Sequence, residues 1–124
     1  MRFIEFTVPG RISTNHRVRG AIRGGRVRMY KAADYRDYMQ RVRLFAQAAR
    51  ASVADWPMDA RYEVTITMHE HDRRRRDLDN AKAIGDGLNG VLYVDDSQVD
   101  HAHQHRGEVR KTAPCVVVRV EVLP

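Results

Sequence analysis

The chain has 124 residues, 31% of them charged, and its 22 Lys and Arg outweigh 16 Asp and Glu to give a formal net charge of +6 and a sequence pI of about 10.0. That length makes one domain large enough to bury a core without disulfides or structural metal, and the basic balance favours an anionic partner such as DNA or RNA. Cys115 is the single cysteine, which excludes an intrachain disulfide; with no apolar run near the roughly 20 residues of a membrane span and no signal peptide, a cytoplasmic protein is expected.

Taken in chain order, Ile4, Phe6 and Val8 alternate with Phe3, Glu5 and Thr7 and predict a first strand stopped by Pro9-Gly10. From Gly10 to Ala33 there is no acid. Arg11, Arg17, Arg19, Arg23, Arg26, Arg28 and Lys31 accumulate there among Gly20, Gly24 and Gly25, which reads as a mobile basic loop over residues 10–33. Tyr35, Tyr38, Met39, Val42, Phe45, Ala46, Ala49 and Val53 then follow a helical period, with Arg36, Arg43 and Arg50 outside. After Trp56-Pro57, the alternation of Tyr62, Val64, Ile66 and Met68 with Glu63, Thr65, Thr67 and His69 predicts a half-buried strand. Ala81, Ile84, Gly85 and Leu88 mark a short helix of about 8–10 residues ended by Asn89-Gly90. A return strand through Val91, Leu92, Tyr93 and Val94 is expected next, and Val116, Val118, Val120 and Val122 predict a last strand. Together these predict a single two-layer α+β domain over residues 1–124, a mixed sheet with helices packed on one face.

The chemistry concentrates between the half-buried strand and the short helix. Arg73, Arg74, Arg75 and Arg76 stand directly against Asp77 and Asp79, and Asp95-Asp96 follow some fifteen residues on. Arginines bind phosphodiesters through charge and forked hydrogen bonds, whereas carboxylates repel them unless a divalent cation lies between. In an extended segment residues i and i+2 face the same side, so Asp77 and Asp79 can aim at one ion while Leu78 turns away. A hard ion such as Mg2+ wants oxygen ligands and keeps several waters, so two or three carboxylates suffice. Asp77 or Asp79 also suits an N-cap of the following helix, and the arginines suit a solvated loop. The second acidic pair favours metal, provided the fold brings it near the first.

The run RRRRDLDN, then Lys82, then LNG at Leu88 to Gly90, then DDSQV at Asp95 to Val99, resembles the RusA family of Holliday junction resolvases. The resemblance extends over nearly the whole chain: Asn15, His16, Arg17, Val18 and Arg19, then Gly25, Arg26 and Val27 ahead of Tyr30 and Lys31, match the family's basic N-terminal loop. It implies that Asp77, Asp79 and Asp96 are catalytic, that the metal is held by these three acids with Asp95 as a supporting ligand, and that Arg76 and Lys82 are catalytic as well. One residue, Ala81, separates Asn80 from Lys82 where the family usually has two. Asp79 and Lys82 nevertheless keep an i, i+3 spacing that places both on one helix face.

The implied function is a Mg2+-dependent endonuclease, with Mn2+ able to substitute, that resolves four-way junction DNA by symmetric nicks as a homodimer. Asn15, Arg17, Arg19, Arg26, Lys31, Arg73, Arg74 and Arg75 are the expected DNA-binding residues. The alternative is a non-catalytic basic DNA-binding module that has lost turnover, to which the Lys82 spacing points; an RNA-binding domain lacks the aromatic stacking motifs it would need. His101, His103 and His105 alternate along one strand face, but a structural zinc site wants four closed N or S ligands and Cys115 lies elsewhere. Cys115 opens a valine strand and reads as a small buried side chain rather than a nucleophile.

Overall fold

The computed structural model describes residues 2–10, 18–23, 26–31, 33–73 and 82–124, with side chains for 2–10, 35–73 and 82–124. The first strand, β1 (Phe3–Pro9), buries Ile4, Phe6 and Val8 and exposes the residues between them, as its alternation requires. Gly10 closes it at φ 76°, a left-handed conformation that glycine adopts without steric penalty. Two further strands follow, β2 (Val18–Arg23) and β3 (Arg26–Lys31), paired antiparallel with Val18 opposite Lys31 and Arg23 opposite Arg26.

The basic segment read as a loop therefore carries a two-stranded sheet. Val18, Ile22, Val27 and Tyr30 are residues that favour strands, and the two residues between the strands in sequence, Gly24-Gly25, are of the kind that closes hairpins. Its seven basic residues outweighed that signal in the composition. Asn15 and Arg17 lie outside the described residues.

The main sheet has the order β1–β6–β4–β5, with β4 (Tyr62–His69), β5 (Val99–Arg106) and β6 (Cys115–Val122). β6 pairs antiparallel with both β1 and β4, whereas β5 runs parallel to β4, so the sheet is mixed. Register stacks one layer of buried residues across three strands: Ile4, Val120 and Val64; Phe6, Val118 and Ile66; Val8, Val116 and Met68. The long helix α1 (Ala33–Ala51) adds Tyr35, Tyr38, Val42 and Ala46 to the same core, and α2 (Lys82–Leu88) adds Ala83, Ile84 and Leu88. The expected two-layer α+β domain is what forms, its core held by the burial of apolar area on one sheet face.

Two details of α2 differ from its sequence pattern. Its buried face is Ala83, Ile84, Gly87 and Leu88, while Gly85 is only partly covered. Gly87 is where α1 crosses: a Cβ there would lie 2.8 Å from Val42 Cγ1 and 3.0 Å from the Met39 carbonyl oxygen. The helix stops at Asn89-Gly90 as predicted, with Gly90 at φ 79°. The return strand does not form. Residues 91–94 make a turn, tied by Val91 and Leu92 N–H donating to Leu88 O and by Gly90 N–H donating to Tyr93 O at 2.7 Å. Four consecutive apolar residues mimicked a strand because three of them, Val91, Leu92 and Tyr93, are buried by the core beneath the turn.

Candidate active site

A parallel β4–β5 pair requires a crossover, and that crossover carries both acidic motifs. Chain leaving β4 at His69 enters the arginine run, passes through α2 and the 91–94 turn, and starts β5 beside Tyr62 at the other end of β4. Asp77, Asp79 and Asn80, together with Arg74, Arg75 and Arg76, lie outside the described residues. Arg73, Lys82, Asp95 and Asp96 are described and all exposed. Arg19, Arg26 and Lys31 sit on the strands of the basic hairpin.

The Asp95-Asp96 turn is held from below. Trp56 Nε1 donates to Leu92 O at 2.8 Å in a buried position, and Arg50 donates to Val91 O at 3.0 Å. Trp56, Tyr62 and Tyr93 pack ring against ring, with centroids 5.9 and 5.6 Å apart. Above this base a single 3₁₀ turn, η1 (Asp96–Gln98), is capped at both ends of its first peptide. Asp95 accepts from Ser97 N–H at 3.1 Å, while Gln98 Oε1 accepts from the N–H groups of Val94 and Asp95 at 2.9 and 3.0 Å. The Gln98 amide then donates to Met58 O and Ala60 O at 2.9 and 3.0 Å, bolting the turn to the chain ahead of β4. That is a capping box with Asp in place of Ser, and D-x-x-Q was legible in the sequence.

The paired acids therefore differ in their surroundings. The Asp95 carboxylate is engaged in the cap, and hydrogen bonds from Ser97 hold it below the usual carboxylate range. Asp96 is the first residue of η1 and keeps an exposed carboxylate facing the groove lined by Gly85 of α2. A third acid, Asp86, was not singled out in the sequence. It accepts from the Tyr35 hydroxyl at 2.5 Å and from Lys82 Nζ at 3.3 Å, an i, i+4 ion pair on α2. Burial first, then the negative charges of Asp96, Asp86 and Asp95, push the Tyr93 hydroxyl far above its ordinary value. Lys82 is held on α2 by its ion pair with Asp86.

The donor chemistry fits a hard divalent cation in part. Asp96 offers an exposed oxygen donor, but among the described residues no three acids, histidines or cysteines gather closely enough to hold an ion. Asp77 and Asp79, the other expected ligands, lie outside the described residues. The three histidines of β5 form no such group either: His103 Nε2 lies 2.8 Å from Glu63 Oε2, and its ring stacks on His105 at 6.3 Å between centroids. Cys115 is buried, with an Arg110 guanidinium nitrogen 3.2 Å from its sulfur.

No described helix is long and apolar enough to cross a membrane. Comparison with curated proteins found no match. The sequence model of the family described as Endodeoxyribonuclease RusA, however, matches residues 9–121, a span that runs from the end of β1 to the penultimate residue of β6 and takes in the hairpin, both acidic motifs and α2. The chain belongs to the RusA endodeoxyribonuclease family.

Proposed function

We propose that the protein is a Mg2+-dependent endonuclease that resolves four-way DNA junctions by paired nicks, acting as a homodimer. The observation that carries this reading is the exposed Asp96, projected from a turn clamped by Gln98 and Trp56 beside the helix that bears Lys82. Asp77, Asp79 and Asp96 would hold the ion, and when bound it supplies a water of lowered pKa and offsets charge on the leaving oxygen. Asp95 would support the site by capping the turn through one carboxylate oxygen, with the other left for the ion. Lys82, kept in place by Asp86, and Arg76 next to Asp77 supply positive charge where negative charge builds on the phosphate. Arg73, Arg74 and Arg75 with the basic hairpin hold the flanking backbone, which contributes affinity without reading sequence. Two symmetric nicks need two active sites, and a C2 dimer has the two-fold relation of the junction.

Cleavage of a synthetic four-way junction, compared with linear duplex and with and without Mg2+, tests the reading. Replacing Asp79 or Asp96 by Asn should lower cleavage by orders of magnitude while junction binding survives, and Asp95→Asn should be milder. Near wild-type cutting by Asp79→Asn would sink the metal-site assignment. Junction binding with no cleavage by the wild-type protein would instead identify a non-catalytic binding module.

A further inference from the structure

On the sheet face that the helices cover, β1, β6 and β4 present large apolar residues, whereas β5 presents Ala102 beside Val64 and Gln104 beside Ile66. Gly85 on α2 has no side chain to reach across, and a Cβ there would meet nothing within 4 Å. The two layers part along β5 and leave a groove of about 310 Å³. Val64, Ile66, Leu88 and Val99 make it largely apolar, and Asp96 belongs to its lining. Tyr93 lines it as well. That residue is only 2% exposed, and its hydroxyl makes no hydrogen bond to any described residue. A buried hydroxyl without a partner is costly and uncommon. Burial, ahead of the charges of Asp96, Asp86 and Asp95, keeps it protonated well above neutral pH, so it stays a hydrogen-bond donor.

We infer that this groove takes one nucleobase, unstacked from the DNA beside the phosphate that Asp96 serves; the inference deepens the junction-cleaving reading and rests on it. An apolar slot on which a few polar groups converge is the usual form of a small-ligand site. No described Lys or Arg lines the groove, and its acid turns away a phosphate unless an ion intervenes, so the part of a nucleotide it admits is the uncharged base. Asp96 is shared between groove and proposed ion site, which makes the occupant a neighbour of the reacting phosphate. The Tyr93 hydroxyl and the Gln104 amide, which both donates and accepts, suit the mixed donor and acceptor edge of a base. Unstacking costs least where pairing is already interrupted, as at a branch point. The groove thereby favours a junction over continuous duplex.

2-Aminopurine is dim in a base stack and bright outside it. Placed in turn at the positions flanking the branch point of a four-way junction, it reads the event without divalent metal and so without cleavage. Wild-type protein should brighten one position severalfold. Ala102→Leu and Gly85→Leu fill the groove from opposite sides, at residues that are not buried, and should remove most of that rise while junction binding persists. Tyr93→Phe deletes a hydroxyl and breaks no bond to a described residue. It should slow cleavage of an intact junction about tenfold, but not cleavage of a junction that lacks the base at that position. No brightening at any position, brightening that both filled variants retain, or equal slowing by Tyr93→Phe on the two junctions would overturn the inference. Altered sedimentation of the filled variants with unaltered fluorescence would give the groove to a second copy of the chain and overturn it too. A protein that brightens the base in this pattern and cuts no junction would leave the groove assignment standing and remove the nuclease reading instead.

Discussion

Asp86 shows how much a single side chain can connect. It joins α1 to α2 through the Tyr35 hydroxyl and fixes Lys82 on the exposed side of α2. Two substitutions separate these roles. Tyr35→Phe removes one hydrogen bond to a charged acceptor and should cost about 1.5–3 kcal/mol in a denaturant melt, with modest change in cleavage. Asp86→Ala removes the same bond and also releases Lys82, so it should match that loss of stability and lower junction cleavage by at least tenfold more. Equal cleavage by the two variants would show that Lys82 does not depend on its ion pair. Gln98 is the corresponding structural residue of the acidic turn: its one amide serves four backbone groups, which gives the DDSQV motif a mechanical reason for its Gln.

Between elements, α1 approaches α2 closely at Gly87, and the contact makes opposite predictions for two glycines two residues apart. A Cβ at Gly87 would press on Val42 and on the Met39 carbonyl, whereas one at Gly85 would meet nothing within 4 Å. Both changes improve helix propensity by up to about 1 kcal/mol. Gly85→Ala should therefore raise the melting temperature, and Gly87→Ala should lower it, because overpacking typically costs 1–3 kcal/mol. Thermal unfolding followed by circular dichroism reads both signs. The basic hairpin makes a different prediction. If Arg19 on β2 contacts a phosphate, Arg19→Ala should weaken junction binding and reduce the slope of log K against log salt by roughly 0.9. An unchanged slope with weaker binding would place Arg19 in the hairpin's structure instead of on the DNA.

At the scale of the whole molecule, the apolar layer between sheet and helices is continuous. It runs from Ile4 on β1 through Val118 on β6 and Ile66 on β4 to Val42 on α1 and Leu88 on α2. The acidic turn sits outside this layer, exposed, on the aromatic base of Trp56, Tyr62 and Tyr93. Folding and the proposed metal binding are in that sense separable. Chelation should abolish junction cleavage while leaving the melting temperature within about 2 °C, less than a change of 1 kcal/mol produces in a domain of this size. A large fall in melting temperature on chelation would mean that the ion is part of the fold.

What the sequence determined by itself was whatever rests on local pattern. Strands β1, β4 and β6 and helix α1 follow from period-two and period-3.6 alternation, because one face of each is apolar and must be covered. The acids, the arginine run and Lys82 were legible as residue types at telling spacings, and the capping box was there to be seen in Asp95 and Gln98. Charge hid the hairpin, since the arginines of residues 18–31 outweigh the strand-forming residues among them. Only the tertiary structure decided that Val91 to Val94 turn instead of extending, because residues 91–93 are buried and two of their carbonyls are bonded by Arg50 of α1 and by Trp56, far away in the chain. It alone made Gly87 obligatory, by bringing Val42 against it, and it alone set Asp86 of α2 against the Tyr35 hydroxyl of α1. Sequence spacing sets which residues can share a face; which faces meet is set by the packing of the whole core.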